Sequence, residues 1–113
     1  MSKPKLVTTR PRGLSALPAP PKHLSKEAQA RWERTVALHG LTFSAVLELY
    51  EAALEAFDRM RQAQAELRKA GSLFVLDHNG IARPHPAVII ERNSRSAMLS
   101  AYKLLGFEPE DPT

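Results

Sequence analysis

Apolar residues along the chain fall into three helical patterns, with a short extended stretch between the second and the third. Ala28, Trp32 and Val36 recur every four residues, the spacing of one helix face. Ser25 offers a side-chain oxygen to the unpaired amides of a first turn, Glu27 suits the positive helix end, and Gly40 supplies a stop. The pattern predicts a helix from Lys26 to about Leu38. A second run, through Phe43, Val46, Leu47, Tyr50, Ala53, Leu54, Phe57, Met60 and Leu67, alternates spacings of three and four. With Thr42 or Ser44 as its cap and Gly71 just beyond Ala70, it predicts a helix of roughly 42 Å at 1.5 Å per residue. That is long for a chain of 113 residues, so this helix is expected to be the backbone of the fold.

Leu73 to Leu76 is a short apolar run, and Asp77-His78-Asn79-Gly80 is rich in residues that tolerate left-handed backbone. Ile81 to Arg83 can then return as a second strand, giving a hairpin. Pro84 favours an extended approach, Pro86 suits the first turn of a third helix, and Gly106 ends that helix after Leu105. Its apolar residues, from Val88 to Leu105, cover more than one face, as contact with both its own chain and a neighbouring copy requires. The expected fold class is therefore mainly α: three helices, one of them long and central, with a small β-hairpin between the second and third. Candidate core or oligomer-packing residues are Trp32, Phe43, Leu47, Tyr50, Leu54, Phe57, Ile89, Ile90, Met98 and Tyr102.

Charge divides the chain differently. The net charge is +4, but residues 1–22 hold Lys3, Lys5, Arg10, Arg12 and Lys22 with no acid, while residues 23–113 carry 11 basic against 12 acidic side chains. Five of the nine prolines lie in those first 22 residues, without apolar periodicity. Residues 1–22 are expected to form a disordered basic arm, residues 23–107 a helical domain, and residues 108–113 an acidic tail. A domain of this size has a marginal core, so oligomerisation is expected. Lys26, Arg31 and Arg34 on the first helix extend the basic stretch toward a surface suited to phosphates. Acids crowd the first half of the long helix at Glu48, Glu51, Glu55 and Asp58, and bases its second half, matching the helix dipole; Glu55 with Arg59 adds an i,i+4 pair. The acids are expected to be a solvated face, or else to meet a neighbouring subunit.

Several chemistries lose their usual scaffolds. The chain has no cysteine, no phosphate-binding G-x-x-x-x-G-K-[ST] loop and no G-x-S-x-G elbow. Its four histidines, His23, His39, His78 and His85, show no metal-ligand spacing. Expected are no catalytic residue, no metal and no cofactor. No run is apolar enough to span a membrane, and no secretory signal opens the chain, which points to the cytoplasm.

The order of short motifs resembles the small subunit of tailed-bacteriophage terminase, in its branch with a Pro-His-Pro-Ala motif. The residues carrying the likeness are Pro20-Pro21-Lys22-His23-Leu24-Ser25 with Ala28 and Trp32, Gly40-Leu41-Thr42, and Ala53-Leu54-Glu55-Ala56. Asn79-Gly80, Pro84-His85-Pro86-Ala87 and Leu105-Gly106-Phe107 with Pro109 complete it. The resemblance implies a non-enzymatic component of viral genome packaging in the host cell cytoplasm. It implies a homo-oligomeric ring that binds double-stranded viral DNA where packaging starts and recruits or regulates the terminase large subunit. Related chains often continue with serine and arginine after the Gly-x-x-Pro element, whereas this one turns acidic, so the candidate DNA contacts are Lys3, Lys5, Arg10, Arg12, Lys22, Lys26, Arg31 and Arg34. The alternative from the residues is a helical protein-protein adaptor without intrinsic DNA binding. A metal-dependent nuclease on the acids of the long helix ranks below both.

Overall fold

A computed structural model describes residues 17–107; residues 1–16 and 108–113 lie outside the described residues. The first helix, α1, spans Lys26–His39. Ser25 caps it, its Oγ accepting from the Ala28 amide at 3.0 Å, and Gly40 closes it at φ 63°, a left-handed conformation that costs a residue with a Cβ. Ala28, Trp32 and Val36 form its buried stripe. The long helix, α2, spans Ser44–Ala70, and neither Thr42 nor Ser44 caps it. The cap position belongs to Phe43, which has no side-chain acceptor and contributes only its carbonyl, to the Leu47 amide at 2.9 Å.

Strand β1 (Phe74–Leu76) pairs antiparallel with β2 (Ala82–Pro84), in the register Phe74 to Pro84, Val75 to Arg83 and Leu76 to Ala82. β1 starts one residue later than the apolar run and β2 sits one residue later at both ends, with Asp77 organising the turn between them. Its Oδ1 accepts from the amides of Asn79 (2.8 Å) and Ile81 (2.9 Å), and its Oδ2 accepts from Arg83 Nε at 3.0 Å. Gly80, at φ 77°, completes the reversal. The third helix, α3, spans Pro86–Leu105, with Pro86 at its start and His85 as cap, where Nδ1 accepts from the Ala87 amide at 3.0 Å.

The helices α2 and α3 form an antiparallel pair, with Tyr50 beside Tyr102 and Gln64 bonded to Glu91, and α1 lies against α2 between Tyr50 and Arg61. Small residues make close approach possible: Ala53, Ala56 and Ala63 of α2, and Ala87, Ser94 and Ala101 of α3, are all buried. An aromatic cluster joins α1, α2, α3 and Phe107. Tyr50 stacks on Trp32 (5.8 Å between ring centroids), meets Phe107 edge-on at 5.8 Å and lies 6.3 Å from Tyr102. Its hydroxyl donates to the Arg31 carbonyl at 3.2 Å, leaving the Thr35 hydroxyl, 2.9 Å away, to donate to it. Burial pushes the Tyr50 phenol above its ordinary range.

Three of the packing candidates are not core residues of the protomer. Phe43 is 73% exposed, because it precedes the first turn of α2 and does not share that helix's inner face. Ile89 and Ile90 are 47% and 49% exposed. Ala87, Ser94, Met98 and Ala101 define the inner face of α3, from which Ile89 is turned by about 160° and Ile90 by about 60° relative to Ala87. Trp32, Tyr50, Leu54, Phe57 and Met98 are buried, while Leu47 and Tyr102 pack half-buried at the margin.

Candidate nucleic-acid interface

The segment before α1 is the part of the expected arm that the structure describes, and it lies against the body. Leu17 packs on the core, the Trp32 indole N–H donates to the Pro18 carbonyl at 3.0 Å, and the Leu24 amide donates to the Pro21 carbonyl at 3.3 Å. A proline-rich stretch needs no helical periodicity to be held when a tryptophan ring and its N–H offer it a surface and a donor. Lys3, Lys5, Arg10 and Arg12 lie outside the described residues.

The four ordered candidates do not behave alike. Lys22, Lys26 and Arg34 are exposed. Arg31 is half-buried, its guanidinium 4.3 Å from the centre of the Phe57 ring, and Arg61 approaches the same ring at 5.2 Å. Cation-π contact with a buried ring fixes the Arg31 stem and reduces its reach toward a ligand. Glu27 and Glu33 interrupt the basic positions of α1, and Glu27 is paired with Arg61 at 3.0 Å. Lys26 and Arg34 are exposed on the side of α1 away from Ala28, Trp32 and Val36.

Two of the acids of α2, Glu55 and Asp58, are engaged within the protomer, while Glu48 is exposed. Asp58 accepts from both the Ser25 amide (2.8 Å) and the Ser25 hydroxyl (2.5 Å), and Glu55 Oε2 lies 2.7 Å from His23 Nε2. Glu51 stands 3.7 Å from the same nitrogen. Among the described residues no ion pair joins Glu55 to Arg59. The negative half of α2 thus clamps the root of the N-terminal segment, a role invisible in the sequence because the partners are more than thirty positions apart.

A second basic group, at the hairpin end of the α2/α3 pair, stood out less in the sequence than the arm. Arg68 and Lys69 end α2, Arg83 lies on β2, and Arg92 and Arg95 follow on α3. Arg83 is held by Asp77 and Arg95 by Glu91, which also accepts from Gln64 at 3.0 Å. Arg68, Lys69 and Arg92 are exposed, and among the described residues none of the three has an ion-pair partner. The signal available in the sequence was the predicted antiparallel hairpin, which folds the ends of α2 and α3 together.

Asp77 and Glu91 are both held below the usual carboxylate range. For Asp77 the cause is first the Ile81 amide and then Arg83; for Glu91 it is first Gln64 and then Arg95. Groups with depressed folded values stabilise the fold above their unfolded pKa of about 4, and that contribution is lost as pH falls through the folded value. Protection factors of the hairpin amides, corrected for the intrinsic exchange rate at each pH, should therefore fall on acidification below about pH 4. An Asp77→Ala variant should show the lower protection already at neutral pH, with the amides of α1 and of the middle of α2 unchanged.

No curated protein and no solved structure matches the chain. Among the described residues no helix is long and apolar enough to cross a membrane. A family model described as phage terminase, small subunit, matches residues 28–113, which takes in α1 from its third residue, all of α2, the hairpin and α3. On that match, covering most of its length, the chain belongs to the phage terminase small-subunit family, whose role lies in phage DNA packaging and which is generally the non-catalytic subunit.

Proposed function

We propose that this chain is the ring-forming small subunit of a phage packaging motor, acting in the host cytoplasm. It binds double-stranded viral DNA where packaging starts, and it recruits or regulates the large subunit that carries the ATPase and nuclease. The family match over residues 28–113 carries the reading. Supporting it, the basic charge is concentrated at one end of the chain, where Lys3, Lys5, Arg10 and Arg12 are joined by the exposed Lys22, Lys26 and Arg34. Sequence-independent attraction to phosphates needs no more than this, and a ring multiplies it by bringing many arms to one duplex.

The ring reading rests on apolar surface that one protomer does not cover. On the hairpin, Leu73, Phe74 and Leu76 are 57%, 58% and 72% exposed. Along α3, Ile90, Ala97 and Leu104 follow at heptad spacing on one flank and are exposed. Exposed apolar residues of this kind are what contact with another copy would cover. In a closed ring each protomer gives a different surface to each neighbour, so the hairpin and the α3 flank need not meet their own copies. Ile90→Asp and Phe74→Asp, made separately, should shift sedimentation toward the protomer while leaving the helical circular dichroism unchanged. Unaltered sedimentation in both variants would place the interface elsewhere.

A further inference from the structure

The root of the N-terminal segment is tied to α2 through His23, Glu51 and Glu55, whose nearest donor atoms all lie within 4.8 Å of one another. We infer that these three side chains form a binding site for a divalent first-row transition ion of the zinc type. The three come from two elements: Glu51 and Glu55 stand one turn apart on α2, and His23 approaches them from the segment before α1. Zinc binds imidazole nitrogen and carboxylate oxygen at about 2.0–2.2 Å, which puts tetrahedral donors roughly 3.4 Å apart. The distances of 2.7 and 3.7 Å from His23 Nε2 to the two carboxylates bracket that value, so small side-chain rotations suffice.

Three further observations favour an ion over a simple histidine-carboxylate pair. Asp58, the next acid along this face, is fully engaged by the Ser25 amide and hydroxyl, whereas Glu51 has no hydrogen-bond partner among the described residues except the approach to His23. The side chains of His23, Glu51 and Glu55 are 54%, 36% and 40% exposed, which leaves an open side for water as the fourth ligand. Glu48, Glu51, Glu55 and Asp58 also place like charges at successive turns, a repulsion that a dication relieves more than one imidazolium does. The imidazole donor selects against magnesium and calcium, which take oxygen ligands. The histidine spacing along the chain gave no hint of this site, because only one of its ligands is a histidine and the other two are a helical turn apart, more than twenty-five residues away. A bound ion would fasten the base of the basic arm to the long helix and so fix where the arm leaves the protomer.

The test uses the full-length chain without a histidine tag, titrated calorimetrically with zinc chloride and, as a control, with magnesium chloride. Saturable binding of one zinc per chain is expected, with no heat of binding for magnesium and a rise in melting temperature on zinc addition. His23→Gln and Glu51→Gln, each retaining the wild-type helical spectrum, should weaken zinc binding by more than about tenfold, the lower bound set even by loss of an outer-shell partner. In the wild-type chain the His23 imidazole resonances should move on zinc addition, which needs no variant to fold. Absence of saturable zinc binding, unmoved His23 resonances, or equal affinity in His23→Gln would each overturn the assignment. Because the readout is metal binding, these outcomes are independent of whether the protein forms a ring or binds DNA.

Discussion

Replacing Trp32 with alanine is expected to lower the free energy of unfolding by about 3–5 kcal/mol, the range for deleting a buried aromatic side chain. The ring is 3% exposed, stacks on Tyr50 and donates its N–H to the Pro18 carbonyl. Its removal opens a cavity where α1 meets α2 and releases residues 17–22 from the body. With the whole stability of a small domain on the order of 5–15 kcal/mol, the variant is expected to be partly unfolded near physiological temperature. Trp32→Phe separates the two contributions: it keeps most of the packing and loses the bond to Pro18, a cost of about 1 kcal/mol. Urea denaturation followed by circular dichroism, at one fixed protomer concentration because assembly adds to apparent stability, measures both. A cost under about 1 kcal/mol for Trp32→Ala would mean that α1 is not anchored through this residue.

Deleting residues 1–16 is expected to have the largest effect on DNA binding and little on the fold. The deletion removes Lys3, Lys5, Arg10 and Arg12 and keeps residues 17–22, which pack on the body. Each phosphate contact contributes about 0.9 to the slope of log affinity against log salt, so the slope should fall by up to roughly 3.6 for every arm engaged. The paired change Lys26→Ala with Arg34→Ala should lower it by at most roughly 1.8. Arg31→Ala is expected to act mainly on stability, through the Phe57 ring. Affinity and salt slope that are the same with and without residues 1–16 would exclude the arm as the DNA contact and favour an adaptor that meets only protein.

Local chemistry made most of the architecture legible. Ser25, Gly40, Gly71, Pro86 and Gly106 mark helix ends, and each does so through a backbone effect confined to a few neighbouring residues. Asp77-His78-Asn79-Gly80 made the hairpin visible for the same reason. Phe43 has the spacing of the α2 pattern but stands at the cap position just before the first turn, so periodicity alone does not separate a core position from one left for another copy. Ile89 and Ile90 show a related limit: three consecutive apolar residues on α3 cannot all face one partner, and the periodicity alone does not say which of them the neighbouring helix covers. The clamp of His23, Ser25, Glu55 and Asp58 was not legible at all, since it depends on the crossing of α1 over α2. Charge counts mark residues 1–22 as basic, but only the bond from Trp32 to the Pro18 carbonyl shows where residues 17–22 are held.

Native mass spectrometry of the full-length chain tests the central claim most directly. A ring-forming small subunit predicts one dominant closed oligomer, persisting on dilution to low micromolar protomer concentration and losing its integrity in Ile90→Asp or Phe74→Asp. A folded monomer with the wild-type helical spectrum at the same concentration would contradict it.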